Sequence, residues 1–179
     1  AILHHPEFQR LEASWRALEF VVSRVGPRAR VRVELWNCSK TDLEDDFADA
    51  LDLARSALYH QLWTLNYGDG PYGLVVGGYE FDHGPADVAL LERVAAACAD
   101  AGTPFLADAA PRMFGAATWD ELARHADVIA VLDDFAHLRW NAFRARPEAR
   151  FVGLCLPRFA LRAPHRRGFT WPRPAFETD

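Results

Sequence analysis

At 179 residues, half of them hydrophobic, the chain can bury one sizeable core, and one domain is the default for that length. Twenty basic residues against 25 acidic ones give a net charge of -5, which argues against a general nucleic-acid binder. No stretch approaches the roughly 20 apolar residues of a membrane span, no signal-peptide pattern opens the chain, and Cys38, Cys98 and Cys155 can neither all pair nor match a metal spacing, so a soluble protein of a reducing compartment is expected.

The opening residues, ILHHPEFQRLEASWRALEFVVSRVGP, predict a helix started at Pro6 and stopped by Gly26 and Pro27, with Phe8, Leu11, Trp15, Leu18 and Val22 in one apolar stripe. His4 and His5 just before it fit a cap and a solvated side chain better than a metal site. In RVRVELW, Val31, Val33 and Leu35 alternate with Arg32 and Glu34, the period of a strand with one wetter face. Ser39 and Asp42 form an approximate capping box around Lys40, the only lysine, and Leu43, Phe47, Leu51, Ala54, Leu58 and Leu62 continue a helical stripe toward Tyr67, with a break near Ser56.

Gly68, Gly70 and Gly73 fit G-x-G-x-x-G, but they run from helix into strand. A dinucleotide site needs those glycines to leave a strand and open a helix, so a turn into the sheet explains them better. The stretch from Pro71 to Ala110 then reads as a complete strand, helix, strand unit. Tyr72 to Gly78 is a short apolar run; Pro85 and Asp87 open a helix whose Val88, Leu91, Ala95 and Cys98 recur at spacings of three and four; Gly102 stops it; and Thr103 to Ala107 is a second apolar run. Two strands joined through a helix should be parallel.

Further on, Thr118 and Glu121 form a capping box for a short helix. Val128 to Leu132 is strand by composition but too short to settle by periodicity. Ala136 to Arg146 reads as a helix carrying Leu138, Trp140 and Phe143, and Phe151 to Leu156 as a buried strand closed by Pro157. The fold class expected is α/β: a mainly parallel sheet of about four strands, near 31–36, 73–78, 103–107 and 150–155, with helices packed on it. Residues 1–157 form the domain. Residues 158–179, where three prolines interrupt a mixture of arginines and aromatics, form an irregular arm that packs on it or leads onward.

The chemical candidates are Glu80, Asp82 and His83 of the EFDH phrase, which follow a strand at the end where open α/β sheets place ligands, together with Asp108 after the next strand. With Asp133 and Asp134 they could converge on a metal for phosphoester or amide hydrolysis. The plainer reading makes Asp82 and His83 a helix cap and the others loop carboxylates, and no G-x-S-x-G or H-E-x-x-H supplies a nucleophile or zinc motif.

Five phrases, HHPEFQRLEASWRALEFVV, NCSKTDL, PYGLVVGGYEFDHGPADVALL, APRMFG and RFVGLCLPRFALR, resemble in order those of the large sheath subunit of the bacterial type VI secretion system, the VipB or TssC family. The resemblance spans nearly the whole chain, although the tail after Arg162 does not align. It implies a cytoplasmic assembly protein and not an enzyme, with no cofactor, metal or catalytic residue. Tyr79, Glu80 and Phe81 then match a structural YEF phrase. The implied partners are a small sheath subunit, other sheath heterodimers and the hexamers of an inner tube, with no nucleic acid and no membrane span. The segment that would correspond to Val128–Leu132 looks helical in that family. Family members are longer, and the chain begins with Ala1, so residues 1–179 read either as an excised fragment or as a shortened homologue, expected to fold but to form no sheath alone.

Overall fold

The structure, a computed structural model, describes residues 2–26, 28–64, 70–124, 127–156 and 160–161. It divides into two compact units, residues 1–35 with 158–179, and residues 36–157. The G-x-G-x-x-G reading depends on Gly68, which lies outside the described residues, as does most of the expected arm.

In the first unit, helix α1 (Pro6–Arg24) begins with Pro6 in its first turn, where a missing N–H costs nothing. His5 precedes it in an extended conformation without a side-chain cap bond. The predicted stripe is real in spacing, but no residue of α1 is buried, and Leu11 and Trp15 are each 58% exposed. RVRVELW is a correction: no strand forms at 31–36, and the described sheet has three strands. Alternation selects which face a strand would show, but a strand exists only when a neighbour takes up its N–H and C=O groups.

The second unit opens with α2 (Lys40–Asp49), whose capping box is reciprocal: Asp42 N–H donates to Ser39 Oγ, and Ser39 N–H donates to Asp42 Oδ2 at 2.8 Å. Hydrogen bonding from the Ser39 backbone N–H, foremost, and from the Ser39 side chain holds the Asp42 carboxyl below the usual carboxylate range. The long helix expected from Leu43 onward is broken twice. It stops at Ala50, makes a single tighter turn at Leu53–Arg55, and restarts as α3 (Ala57–Tyr59), which widens into a π-helical turn at His60–Thr64. The restart is fixed by fully buried Ser56, whose Oγ accepts from Tyr59 N–H, and by Asp46, which reaches from α2 to accept from Ala57 and Leu58 N–H.

Strands β1 (Val75–Phe81), β2 (Phe105–Ala109) and β3 (Val152–Cys155) lie in the order β1-β2-β3, and both pairings are parallel. Each of the three begins one to three residues later than its apolar run. Helix α4 (Pro85–Ala101) connects β1 to β2 and ends at Gly102, whose φ of 67° is the left-handed turn that releases the chain into the next strand. Thr103, fully buried, fixes that turn: its N–H reaches Cys98 O and its hydroxyl reaches Tyr72 O at 2.9 Å. All four residues of the predicted stripe on α4, Val88, Leu91, Ala95 and Cys98, are buried, joined by Leu90, Val94, Ala97 and Ala101.

The sheet is covered on one side. Gly77, Phe81, Phe105, Ala107 and Ala109 are buried, whereas Val76, Gly78, Glu80 and Cys155 are exposed. Phe81 meets Phe105 edge to face, with centroids 6.4 Å apart, at the centre of the buried side. Beyond β2, α5 (Trp119–Leu122) carries the predicted Thr118 cap on Glu121 N–H. The strand composition of Val128–Leu132 is overruled: Asp127 Oδ1 accepts from both Ile129 and Ala130 N–H at 3.0 Å and starts helix α6 (Val128–Val131), as the family resemblance implied. A tight turn at Phe135–His137 leads into α7 (Leu138–Arg144), and another at Pro147–Phe151 leads into β3.

Candidate functional site

At the carboxyl ends of β1 and β2 the sheet register sets Glu80 opposite Asp108, so the topology does bring two of the sequence candidates side by side. Asp82 and His83 follow in the turn into α4. The chemistry they support there is structural. Asp82 Oδ1 accepts from Gly84 N–H at 2.6 Å, closing the turn before α4, and Asp82 N–H donates to Asp87 Oδ2 at 2.7 Å. The other Asp87 oxygen takes an ion pair from Lys40 Nζ at 2.6 Å.

Lys40 is the organising group that sequence reasoning passed over. Its ammonium also donates to Glu80 O at 2.9 Å and stands 4.5 Å from the Phe81 ring centroid, so one cation ties α2, β1 and α4 together. The available signal was that this is the only lysine in an arginine-rich chain. A compact ammonium with three donors fits among a carbonyl, a carboxylate and a ring, where a planar guanidinium would not. Beside it, Tyr79 Oη donates to Cys38 O at 2.5 Å, and burial pushes both the Tyr79 phenol and the Cys38 thiol up from their ordinary values.

His83 stacks on His137, with ring centroids 4.4 Å apart. His137 is 2% exposed, and its Nε2 lies 2.7 Å from Met113 O. A carbonyl only accepts, so Nε2 carries the hydrogen. Both Nδ1 atoms are buried and meet no partner among the described residues. Asp133 and Asp134 sit in the turn after α6, where their main chains close that turn, and neither reaches the Lys40 cluster by any described hydrogen bond. Burial raises the Asp108 carboxyl above the usual range. Among the described residues no group of three or more His, Cys, Asp or Glu could hold a metal ion, and this geometry gives the hydrolase reading no support.

What the second unit does present is apolar surface. A groove of about 670 Å³ runs between α6, α7 and β3, lined by Ile129, Leu132, Trp140, Leu154 and Leu156 among others, with Arg144, Arg146 and Arg150 at its margin. Ile129 is 77% exposed. No helix among the described residues is long and apolar enough to cross a membrane.

Residues 1–177 match the family model described as VipB: EvpB/VC_A0108, tail sheath N-terminal domain. Over 169 residues, 92% of this chain, the sequence is 31% identical to the type VI secretion system sheath protein TssC1 of Pseudomonas aeruginosa. The chain spans about a third of that relative's length, 34%.

Proposed function

The chain belongs to the VipB tail-sheath family, and from that premise we propose that it is a structural component of the type VI secretion contractile sheath and carries no catalytic activity. In this reading it pairs with a small sheath subunit, and the pairs stack around the hexamers of an inner tube in the bacterial cytoplasm. The observation that carries the reading is the family match across residues 1–177. Two features of the molecule agree with it. Asp82, one of the acids that looked catalytic, closes the turn before α4 instead, and a sheet with one open side next to an apolar groove suits a part that is completed by neighbours.

The test is replacement. Residues 1–177 are substituted for the matched segment of Pseudomonas aeruginosa TssC1, and fluorescently tagged sheaths are followed in cells lacking the native protein. Assembly and contraction are expected. A chimera that accumulates in folded form yet never builds a sheath would overturn the proposal. The purified chain, screened against phosphoester and peptide substrates with added divalent metals, is expected to turn nothing over. Turnover abolished by Asp82→Ala would revive the hydrolase.

A further inference from the structure

The groove beside β3 combines three features that a single occupant would satisfy. Its walls are aliphatic and open, with Ile129 77% and Leu156 44% exposed. Trp140, part of its lining, has an indole N–H that is buried and meets no acceptor among the described residues. A buried donor left unmade costs about 1–3 kcal/mol, so an incoming acceptor is favoured here. The third feature is charge. Arg146 lies 3.4 Å from Glu92, but Arg144 and Arg150 form no ion pair among the described residues, although the chain as a whole is acidic.

Each feature narrows the ligand. Aliphatic walls exclude a purely ionic partner such as nucleic acid, whose phosphates would use the arginines and leave Ile129 and Leu156 in water. Arg144 and Arg150, the latter 5.1 Å from the Phe151 ring centroid and neither in an ion pair with a described residue, disfavour a basic or neutral partner and match carboxylates bidentately. The orphan indole wants an oxygen acceptor, which a peptide carbonyl provides. We propose that this groove receives an acidic, aliphatic segment of a partner protein, with apolar side chains over Ile129 and Leu156, carboxylates at Arg144 and Arg150, and an oxygen accepting from Trp140 Nε1. This assignment goes beyond the sheath reading and does not rest on it, because it concerns what the groove binds, whatever the assembly.

The experiment pans a phage-displayed random dodecapeptide library against the purified 179-residue chain. Synthetic versions of the enriched peptides are then titrated by fluorescence anisotropy into wild type, the double variant Arg144→Glu/Arg150→Glu, and Ile129→Asp. All these positions are exposed, and unchanged melting confirms folding. Enrichment of peptides that combine Asp or Glu with Leu, Ile or Val is expected, with binding weakened at least about tenfold by either variant, roughly 1.4 kcal/mol, and reduced by salt. Basic or neutral winners, winners that bind the variants as well as wild type, or no winners at all would overturn the proposal. So would sedimentation showing a homodimer that both variants dissolve, since the occupant would then be a second copy.

Discussion

The two adjacent glycines of β1 provide a sharp test of the packing argument, because the structure assigns them opposite roles. A Cβ added at Gly77 would lie 2.6 Å from Phe105 Cζ, 2.9 Å from Phe105 Cε2 and 2.9 Å from Tyr79 Cδ2. The Phe105 ring cannot step aside: it is 2% exposed and held edge-on by Phe81, which is 0% exposed. Overpacking of this kind costs about 1–3 kcal/mol, while replacing glycine returns about 0.4–1 kcal/mol through the unfolded chain. Gly77→Ala should therefore lose about 1–2 kcal/mol, which for a domain of this size lowers Tm by roughly 2–8 °C. At Gly78 an added Cβ meets nothing within 4 Å and φ is not positive, so Gly78→Ala should be neutral or raise Tm by a few degrees, about 1–3 °C. Gly153→Ala falls between, because its 2.6 Å neighbour is Cδ2 of Leu106, the mobile end of a half-buried side chain. Thermal and urea unfolding of the three variants decide the matter, with Phe105→Leu in the Gly77→Ala background as the coupling control. The reasoning fails if Gly78→Ala destabilises as much as Gly77→Ala, or if Phe105→Leu costs no less in that background than in wild type.

Three further outcomes follow from the same structure. Lys40→Met should cost about 1–3 kcal/mol, because it strips Glu80 O and Asp87 of a donor in a site where the two ion-pair side chains are only 26% and 17% exposed; urea unfolding reads this, and Lys40→Arg should fail to restore it. Asp108 has its carboxyl raised by burial, so its neutral form helps folding at low pH and that help is lost as pH rises through the raised value. Asp108→Asn should accordingly melt higher than wild type at pH 7, with the advantage disappearing below about pH 4; a gain that persists in acid contradicts the assignment. Titration with an aromatic disulfide at pH 8 should label exposed Cys155 first and half-buried Cys38 slowly. Cys98, buried and pushed up to about 12, should react only on unfolding.

The parts of the fold that could be read from sequence are those fixed within a few residues. Helix α4 announces itself through Pro85, Asp87, its periodic apolar residues and Gly102, and every one of those signals acts inside its own turn. The parallel pairing of β1 with β2 was inferable because one connecting helix leaves little choice. Most of what was not legible depends on distant partners. RVRVELW has the period of a strand, yet Val31, Val33 and Leu35 are 59%, 42% and 70% exposed and no described neighbour pairs with them. Val128–Leu132 has the composition of a strand, but one cap, Asp127, outweighs a weak propensity in a segment of four residues. The Lys40 cluster joins residues 40 and 47 positions apart, and the His83–His137 stack spans a still longer separation; neither leaves a local pattern to find.

The EFDH phrase shows why carboxylates at the end of a parallel sheet are weak evidence for catalysis until their oxygens are followed. A general base or metal ligand needs an oxygen aimed at substrate, water or metal. Here Asp82 spends an oxygen on Gly84 N–H, and Asp87 spends one on Asp82 N–H and the other on Lys40. The two Asp82 bonds join the turn after β1 to the start of α4, and the Asp87–Lys40 pair joins α4 to α2, so the acids tie these elements together. The same economy bears on the groove. At the sheet end Asp82, Asp87 and Lys40 are paired within the unit, whereas beside β3 Trp140 Nε1 meets no acceptor, and Arg144 and Arg150 no carboxylate, among the described residues. Open arginines and exposed aliphatic surface therefore lie beside β3, on a face that a partner can reach, while the orphan ring nitrogens of His83 and His137 stay buried.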